Sequence, residues 1–126
     1  MNKFDLIFLL LGEPSSKHVN SFLELYDSAF TAGFHTTVAT SPSDLAHTGR
    51  RLRIIVIDAY ELKLDDVLTM KACFPNLKDV HLIFLTGTQT TTDMLYENGV
   101  ATEANICLPL SIGFKGLLGI VSALSR

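Results

Sequence analysis

The sequence predicts an α/β domain built on a five-stranded parallel sheet with helices on both faces. Five apolar stretches of strand length alternate along the 126 residues with segments whose apolar residues recur every three or four positions. Parallel neighbours require crossovers, and these crossovers are right-handed. Several of the strand segments are apolar on both faces, which is typical of strands covered from both sides. A doubly wound sheet of this size most often has the flavodoxin-like order 2-1-3-4-5.

The first half of the chain predicts two strands separated by an amphipathic helix. Residues 6–11 form an unbroken apolar run, and residues 34–38 alternate as a short second strand. Gly33 supplies the stop between the helix and this strand. The helix is indicated by an apolar stripe at spacings of three and four: Val19, Phe22, Leu23, Tyr26 and Phe30. Ser41 followed by Pro42 predicts the start of a further short helix.

The second half repeats the alternation three times. The predicted strands are residues 52–57, 80–85 and 105–108. The predicted helices are residues 65–74, 90–98 and 112–124. Pro75 ends the first of these helices, and Asn98 with Gly99 ends the second. We therefore expect one domain spanning residues 1–126.

Composition excludes several classes of protein. Apolar residues make up 48% of the chain and charged residues 18%, which excludes a disordered chain. Ten Lys and Arg against thirteen Asp and Glu give a net charge of −3, so we expect no direct nucleic-acid contact. No apolar segment approaches the roughly 18 residues that span a membrane. Two cysteines, Cys73 and Cys107, form no disulfide framework, and we expect a cytoplasmic protein.

Polar side chains follow the predicted strands where each strand ends. Glu13 comes after the first strand, Asp58 directly ends the third, and Thr86 ends the fourth. Leu108 and Pro109 end the fifth strand. Ligands of doubly wound sheets bind at the carboxyl ends of the strands, so these residues are expected at one rim.

This ordered set resembles the receiver domain of bacterial two-component response regulators, and the likeness covers essentially the whole chain. The resemblance implies that Asp58 is the position that accepts a phosphoryl group. It also implies that Thr86 bonds the phosphoryl oxygen, and that Glu13 with Asp58 holds Mg²⁺. In the family, a lysine before a cis-proline stands after the fifth strand, where this sequence has Leu108 and Pro109.

Several positions depart from the family's pattern. Leu108 occupies the lysine position, and Gly12 replaces the first member of the acidic pair. Leu62 and Asp66 stand where the family usually has a proline and a glycine. Asn105 occupies the aromatic switch position and is a second candidate, beside Thr86, for contact with a phosphoryl group.

These departures predict weak phosphorylation or none. Phosphoryl transfer depends on cations positioned around the transferring oxygens. A lost lysine removes a charge-assisted contact of about 1.5–3 kcal/mol. Glu13 and Asp58 would form at most a weak Mg²⁺ site, since Mg²⁺ demands strict octahedral geometry. We expect no other cofactor.

Structural roles for the same residues remain open. A strand-end carboxylate such as Asp58 often bonds the backbone of the loop that it opens. Thr86 can equally serve as a turn or cap hydroxyl. The four histidines share no metal spacing, and no Ser or Cys is placed beside a base, so we expect no catalytic residue and no enzyme.

The last predicted helix is apolar on nearly every side. Its interface candidates are Phe114, Leu117, Leu118 and Val121. Such a helix is typically buried on more than one side. Gly116 and Gly119 would let another backbone approach closely. Receivers commonly pair through the face formed by their fourth helix, fifth strand and fifth helix, so the resemblance implies a homodimer or an effector docked there.

The sequence thus predicts a pseudo-receiver that acts through protein–protein contact in signal transduction or transcription regulation. We expect it to be the N-terminal part of a longer regulator, with itself or an attached effector domain as partner. One alternative is a working phosphoacceptor that uses Asp58 in a non-standard site. An alternative of another class is a flavodoxin-like domain that binds a small ligand in the same crevice.

Overall fold

The fold is an α/β arrangement around one parallel sheet of order β2-β1-β3-β4-β5. The computed structural model describes residues 4–11, 17–41, 44–45, 52–60, 63–76, 80–87, 89–102 and 105–125. The strands are β1 (Phe4–Leu9), β2 (Thr36–Ala39), β3 (Leu52–Ala59), β4 (Val80–Thr86) and β5 (Ile106–Pro109). The helices are α1 (Lys17–Thr31), α2 (Leu64–Cys73), α3 (Gln89–Glu97) and α4 (Gly113–Leu124). The predicted fold class and strand order are confirmed.

Helices cover both faces of the sheet, and each face has its own apolar core. On one face, Phe8 and Val56 of the central strands pack with Phe22 of α1 and Leu117 of α4. We call this the α1/α4 face. On the other face, Ile55, Ile57 and Phe84 pack with residues of α2 and α3, and we call it the α2/α3 face. This two-sided packing explains why the central strands are apolar without alternation.

Most predicted boundaries agree with the structure to within one or two residues. α1 ends before Gly33, whose φ of 94° is in the left-handed region that favours glycine. α3 ends before Gly99, where φ is 72°. β1 begins at Phe4 rather than at residue 6, because Phe4 and Asp5 pair in register with Leu52 and Arg53 of β3.

One predicted helix lies mostly outside the described residues, and another begins one residue later than expected. The helix expected after Ser41 falls mostly outside the described residues. Asp44 and Leu45 are the part of it that is described, and they lie in a turn. The last helix begins at Gly113, preceded by a 3₁₀ turn at Leu110–Ile112. None of the helices in the described ranges is long and apolar enough to cross a membrane.

A chain of aromatic contacts connects the sheet to the surface of α1. The Phe8 ring meets the Phe22 and Tyr26 rings edge to face, at centroid distances of 5.6 and 5.7 Å. Tyr26 in turn lies 6.4 Å from Phe30, whose side chain is 62% exposed. Edge-to-face pairs of this kind add to the stabilisation from burial. They fix α1 on the central strand β1.

Candidate functional site

The carboxyl ends of β3, β4 and β5 form the rim of the candidate site. The register places Asp58 beside Leu85, and Leu85 beside Leu108. We call these three residues the Asp58 row. Ile54, Val56 and Leu85 pack on the α1/α4 face, and strand alternation gives Asp58 the same side. The Leu108 side chain packs against that core as well.

Asp58 is almost completely buried. Its residue is 2% exposed, and its Oδ1 accepts a long hydrogen bond of 3.4 Å from the backbone N–H of Tyr60. This is the structural role that the sequence left open, in which the carboxylate holds the loop that it opens. A phosphoryl donor would have to reach a carboxylate that lies below the surface.

Thr86 lies beside Asp58 along the rim but belongs to the next row. The register pairs Thr86 with Ala59 and with Pro109. Its hydroxyl donates to the carbonyl oxygen of Leu108 at 3.5 Å and accepts from the hydroxyl of Thr92 in α3 at 3.0 Å. Thr86 is 7% exposed. In this conformation its hydroxyl connects β4 to β5 and to α3.

Leu108 fills the position at which the family resemblance implies a lysine. Neighbouring strands lie about 4.8 Å apart, so β3 and β5 are separated by roughly 9.6 Å across β4. A lysine side chain at the end of β5 is long enough to extend across that gap toward Asp58. The short side chain of Leu108 carries no charge and contributes to the core of the α1/α4 face instead. The Leu108–Pro109 peptide bond is trans, whereas the resemblance implies cis.

The structure does not bring Asn105 to the rim. Asn105 precedes β5, and its side-chain oxygen accepts hydrogen bonds from the backbone N–H and the hydroxyl of Thr102, at 2.9 and 3.2 Å. β5 advances about 3.3 Å per residue, so Asn105 lies some 13 Å along the strand from Pro109 at the rim. In this structure the Asn105 side chain bonds Thr102, and its assignment as a switch or phosphoryl contact stays a prediction.

The remaining rim positions are only partly described. Gly12, Glu13 and Leu62 lie outside the described residues, so the predicted weak Mg²⁺ site of Glu13 with Asp58 stays a prediction. Within the described ranges, no three His, Cys, Asp or Glu side chains are grouped in a way that could hold a metal ion. Asp66 lies in the first turn of α2, where its carboxylate accepts from the backbone N–H of Lys63 at 3.4 Å.

A contact between Tyr60 and Gly87 closes the rim between β3 and β4. A Cβ added at Gly87 would lie 2.7 Å from the Tyr60 ring and 2.8 Å from the Tyr60 carbonyl oxygen. Only glycine leaves room for this approach. Sequence reasoning missed the pair, and its only signal was a glycine directly after Thr86 together with an aromatic residue two positions after Asp58.

Of the two cysteines, Cys107 lies in β5, whose carboxyl end forms part of this rim. Burial raises the pKa of the Cys107 thiol, although a side-chain hydrogen bond with Tyr96 lowers it in part. The protonated thiol is a weak nucleophile. The expectation that no cysteine acts as a nucleophile stays a prediction.

The candidate interface helix α4 divides into core and surface residues. Leu117 and Val121 are each 1% exposed and pack against the sheet, so they are not available to a partner. Phe114 and Leu118 are half-buried and remain candidates. Space above Gly116 is filled by the chain's own Ile112, whose Cγ1 would lie 2.3 Å from an added Cβ. Gly119 is open, with nothing within 4 Å of an added Cβ.

Comparison with known proteins gives no relative for this chain. No family model, no curated protein and no solved structure matches it. The resemblance to receivers accordingly stands on the strand-end residues and on the shared strand order.

Proposed function

We propose that the chain is a degenerate receiver domain that acts by protein–protein contact, with weak phosphorylation of Asp58 or none. The Asp58 row carries this proposal. Asp58 and Leu108 lie at the same level of the sheet, separated only by Leu85. A leucine at this point gives an incoming dianion no charge-assisted contact where a receiver would provide one.

The burial of Asp58 supports the same conclusion. At 2% exposure, the carboxylate is held by the backbone of its own loop. The Thr86 hydroxyl, which a receiver would turn toward the phosphoryl group, is hydrogen-bonded to Leu108 and Thr92. Phosphorylation would have to break contacts at both residues, with a hydrocarbon side chain in place of the compensating cation.

Beryllofluoride with Mg²⁺ tests the proposal, because it mimics an acyl phosphate on the acceptor carboxylate. We expect no Asp58-dependent change in the amide NMR spectrum of the wild type. In Leu108→Lys, the restored cation should produce or strengthen such a change, and Asp58→Asn should abolish it. A clear wild-type response that is lost in Asp58→Asn contradicts the proposal and identifies a working phosphoacceptor.

The proposed partner is a second copy of this chain, docked on the face formed by α3, β5 and α4. An effector domain attached to a longer chain is the alternative occupant of this face. Phe114 and Leu118 on α4 are half-buried, and Tyr96 on α3 is 43% exposed. Apolar and aromatic side chains of this kind are enriched in protein interfaces.

Sedimentation velocity over a range of concentrations tests this pairing. We expect the wild type to dimerise and Leu118→Lys to run as a monomer, because the substitution puts a charge at the centre of the contact. Phe30→Lys is the matched control, since Phe30 is an exposed apolar side chain on α1. If the wild type and both variants are monomers, the isolated chain does not pair through α4.

A further inference from the structure

A cavity of about 370 Å³ lies on the α2/α3 face beside β1 and β2, apart from the Asp58 row. Its volume falls in the range of small-molecule pockets, roughly 300–1,000 Å³. Two strands and the turn at residues 44–45 supply most of its wall. The lining residues are Asp5, Ile7, Thr37, Val38, Ala39, Asp44, Leu45 and Arg53.

The charges in the lining are unequal. Arg53 is 7% exposed, and its Nη1 donates to the carbonyl oxygen of Leu45 at 2.6 Å. Asp5 is in register with Arg53 on the neighbouring strand, so the two opposite charges lie side by side on one face of the sheet. Asp44 is exposed and adds a second carboxylate to the lining. Among the described lining residues, the carboxylates therefore outnumber the cations by one.

The rest of the wall is mostly apolar. Ile7, Ala39 and Leu45 contribute hydrocarbon surface, and Thr37 contributes a hydroxyl group. The cavity thus combines a surface for an apolar body with a surplus carboxylate at its exposed side.

We propose that this cavity binds a small organic cation, a primary ammonium group on a short apolar body. The ammonium group interacts with the Asp44 carboxylate, and the apolar body packs against Ile7, Ala39 and Leu45. Arg53 does not repel the ligand strongly, because Asp5 balances its charge on the adjacent strand. An anion would meet the Asp44 carboxylate without a cation beyond Arg53 among the described lining residues. A neutral ligand would gain nothing from Asp44.

Titration of isotope-labelled protein with phenethylamine tests the inference by NMR. We expect the largest shifts at the amides of Thr37, Val38, Ala39 and Arg53. Phenethyl alcohol has the same apolar body without the charge, and it should bind about two- to fivefold more weakly, as expected for the loss of an ion pair with an exposed carboxylate. Asp44→Asn should weaken the amine by a similar factor.

Two further variants distinguish binding in the cavity from non-specific attraction of a cation to an acidic protein. Asp27→Asn removes an exposed carboxylate from α1 and should leave binding unchanged. Ala39→Leu fills the cavity and keeps every charge, so it should abolish binding. Equal affinity for amine and alcohol, unchanged binding by Asp44→Asn, or no shifts at these amides at about 10 mM amine would overturn the inference. Tighter binding of hydrocinnamate or L-phenylalanine would also overturn it. None of these results bears on phosphorylation of Asp58.

Discussion

β3 carries a buried charged residue one position inside each of its ends, and the surroundings of these two residues differ. At the amino end, Arg53 is 7% exposed and lies in register with Asp5 of β1. At the carboxyl end, Asp58 is 2% exposed and lies in register with Leu85 of β4. The residues between them are apolar and buried. One strand thus places a cation and an anion at opposite ends of the same sheet.

The register of the sheet compensates the charge at only one of these ends. Arg53 has an opposite charge on the neighbouring strand, which offsets part of the free energy of burying a guanidinium. The strand neighbours of Asp58 in its row are leucines, and its carboxylate bonds the backbone of its own loop. At the amino end, Arg53 has the opposite charge of Asp5 in register on the next strand. At the carboxyl end, Asp58 contacts the backbone of its own loop.

Breaking the amino-end pair should have the largest effect. Arg53→Met should lower the free energy of unfolding by about 3 kcal/mol, because it removes the buried charge-assisted bond to the Leu45 carbonyl oxygen and the positive charge in register with Asp5. Urea denaturation measures the loss. Lys115→Met removes an exposed cation from α4 and should change stability by less than about 0.5 kcal/mol. A loss below about 1 kcal/mol for Arg53→Met would mean that the pair compensates little.

Crowding the carboxyl end should have the next largest effect. Gly87→Ala places a Cβ within 2.8 Å of the Tyr60 ring and carbonyl oxygen, and should cost about 1–3 kcal/mol of unfolding free energy. Gly119→Ala is the matched control, since nothing lies within 4 Å of its added Cβ. In an exposed helical position this control should stabilise by roughly 0.5–1 kcal/mol. Thermal unfolding of both variants measures whether Gly87→Ala lowers the stability of the fold and Gly119→Ala raises it.

Neutralising Asp58 tests whether its carboxylate stabilises the fold through the hydrogen bond to its own loop. Asp58→Ala leaves the Tyr60 amide without its acceptor and should cost about 1 kcal/mol of unfolding free energy. Asp58→Asn keeps an acceptor oxygen, so it should cost less than about half as much. Chemical denaturation of the two variants side by side gives the comparison. An Asn variant as unstable as the Ala variant would show that the negative charge itself is stabilised.

The surface contact of Asp5 should matter least. His35 is exposed, and its Nδ1 lies 2.8 Å from Oδ1 of Asp5. Exposed pairs of this kind contribute about 0–1 kcal/mol. We expect His35→Ala to change the unfolding free energy by less than about 0.5 kcal/mol at neutral pH. A larger loss would extend the charge pairing at the amino end from two residues to three.

The fold could be predicted from the sequence because its signals are local and repeated. Strand-length apolar runs separated by helical stripes specify β–α units, and parallel pairing then restricts the topology. Asp58 and Thr86 could be placed at one rim for the same reason, since each ends a strand. The helix expected after Ser41 depends on residues that the structure describes only in part.

Side-chain roles that depend on tertiary packing could not be predicted in the same way. α4 is apolar on nearly every side, so its sequence pattern did not distinguish Leu117 and Val121, which face the sheet, from Leu118. Asn105 has the right spacing from Leu108 for a switch, but its side chain is held by Thr102, on the preceding turn. The cavity beside Arg53 arises from three strands that are distant in sequence.

The close approach of Tyr60 to Gly87 has a mechanical consequence. The loops after β3 and β4 share a contact with no spare volume at Tyr60 and Gly87, so neither can move toward the other without displacing it. A protein partner that presses on the loop after Thr86 would therefore shift the backbone next to Asp58. The two loops could in this way transmit a binding event across the rim without any covalent modification.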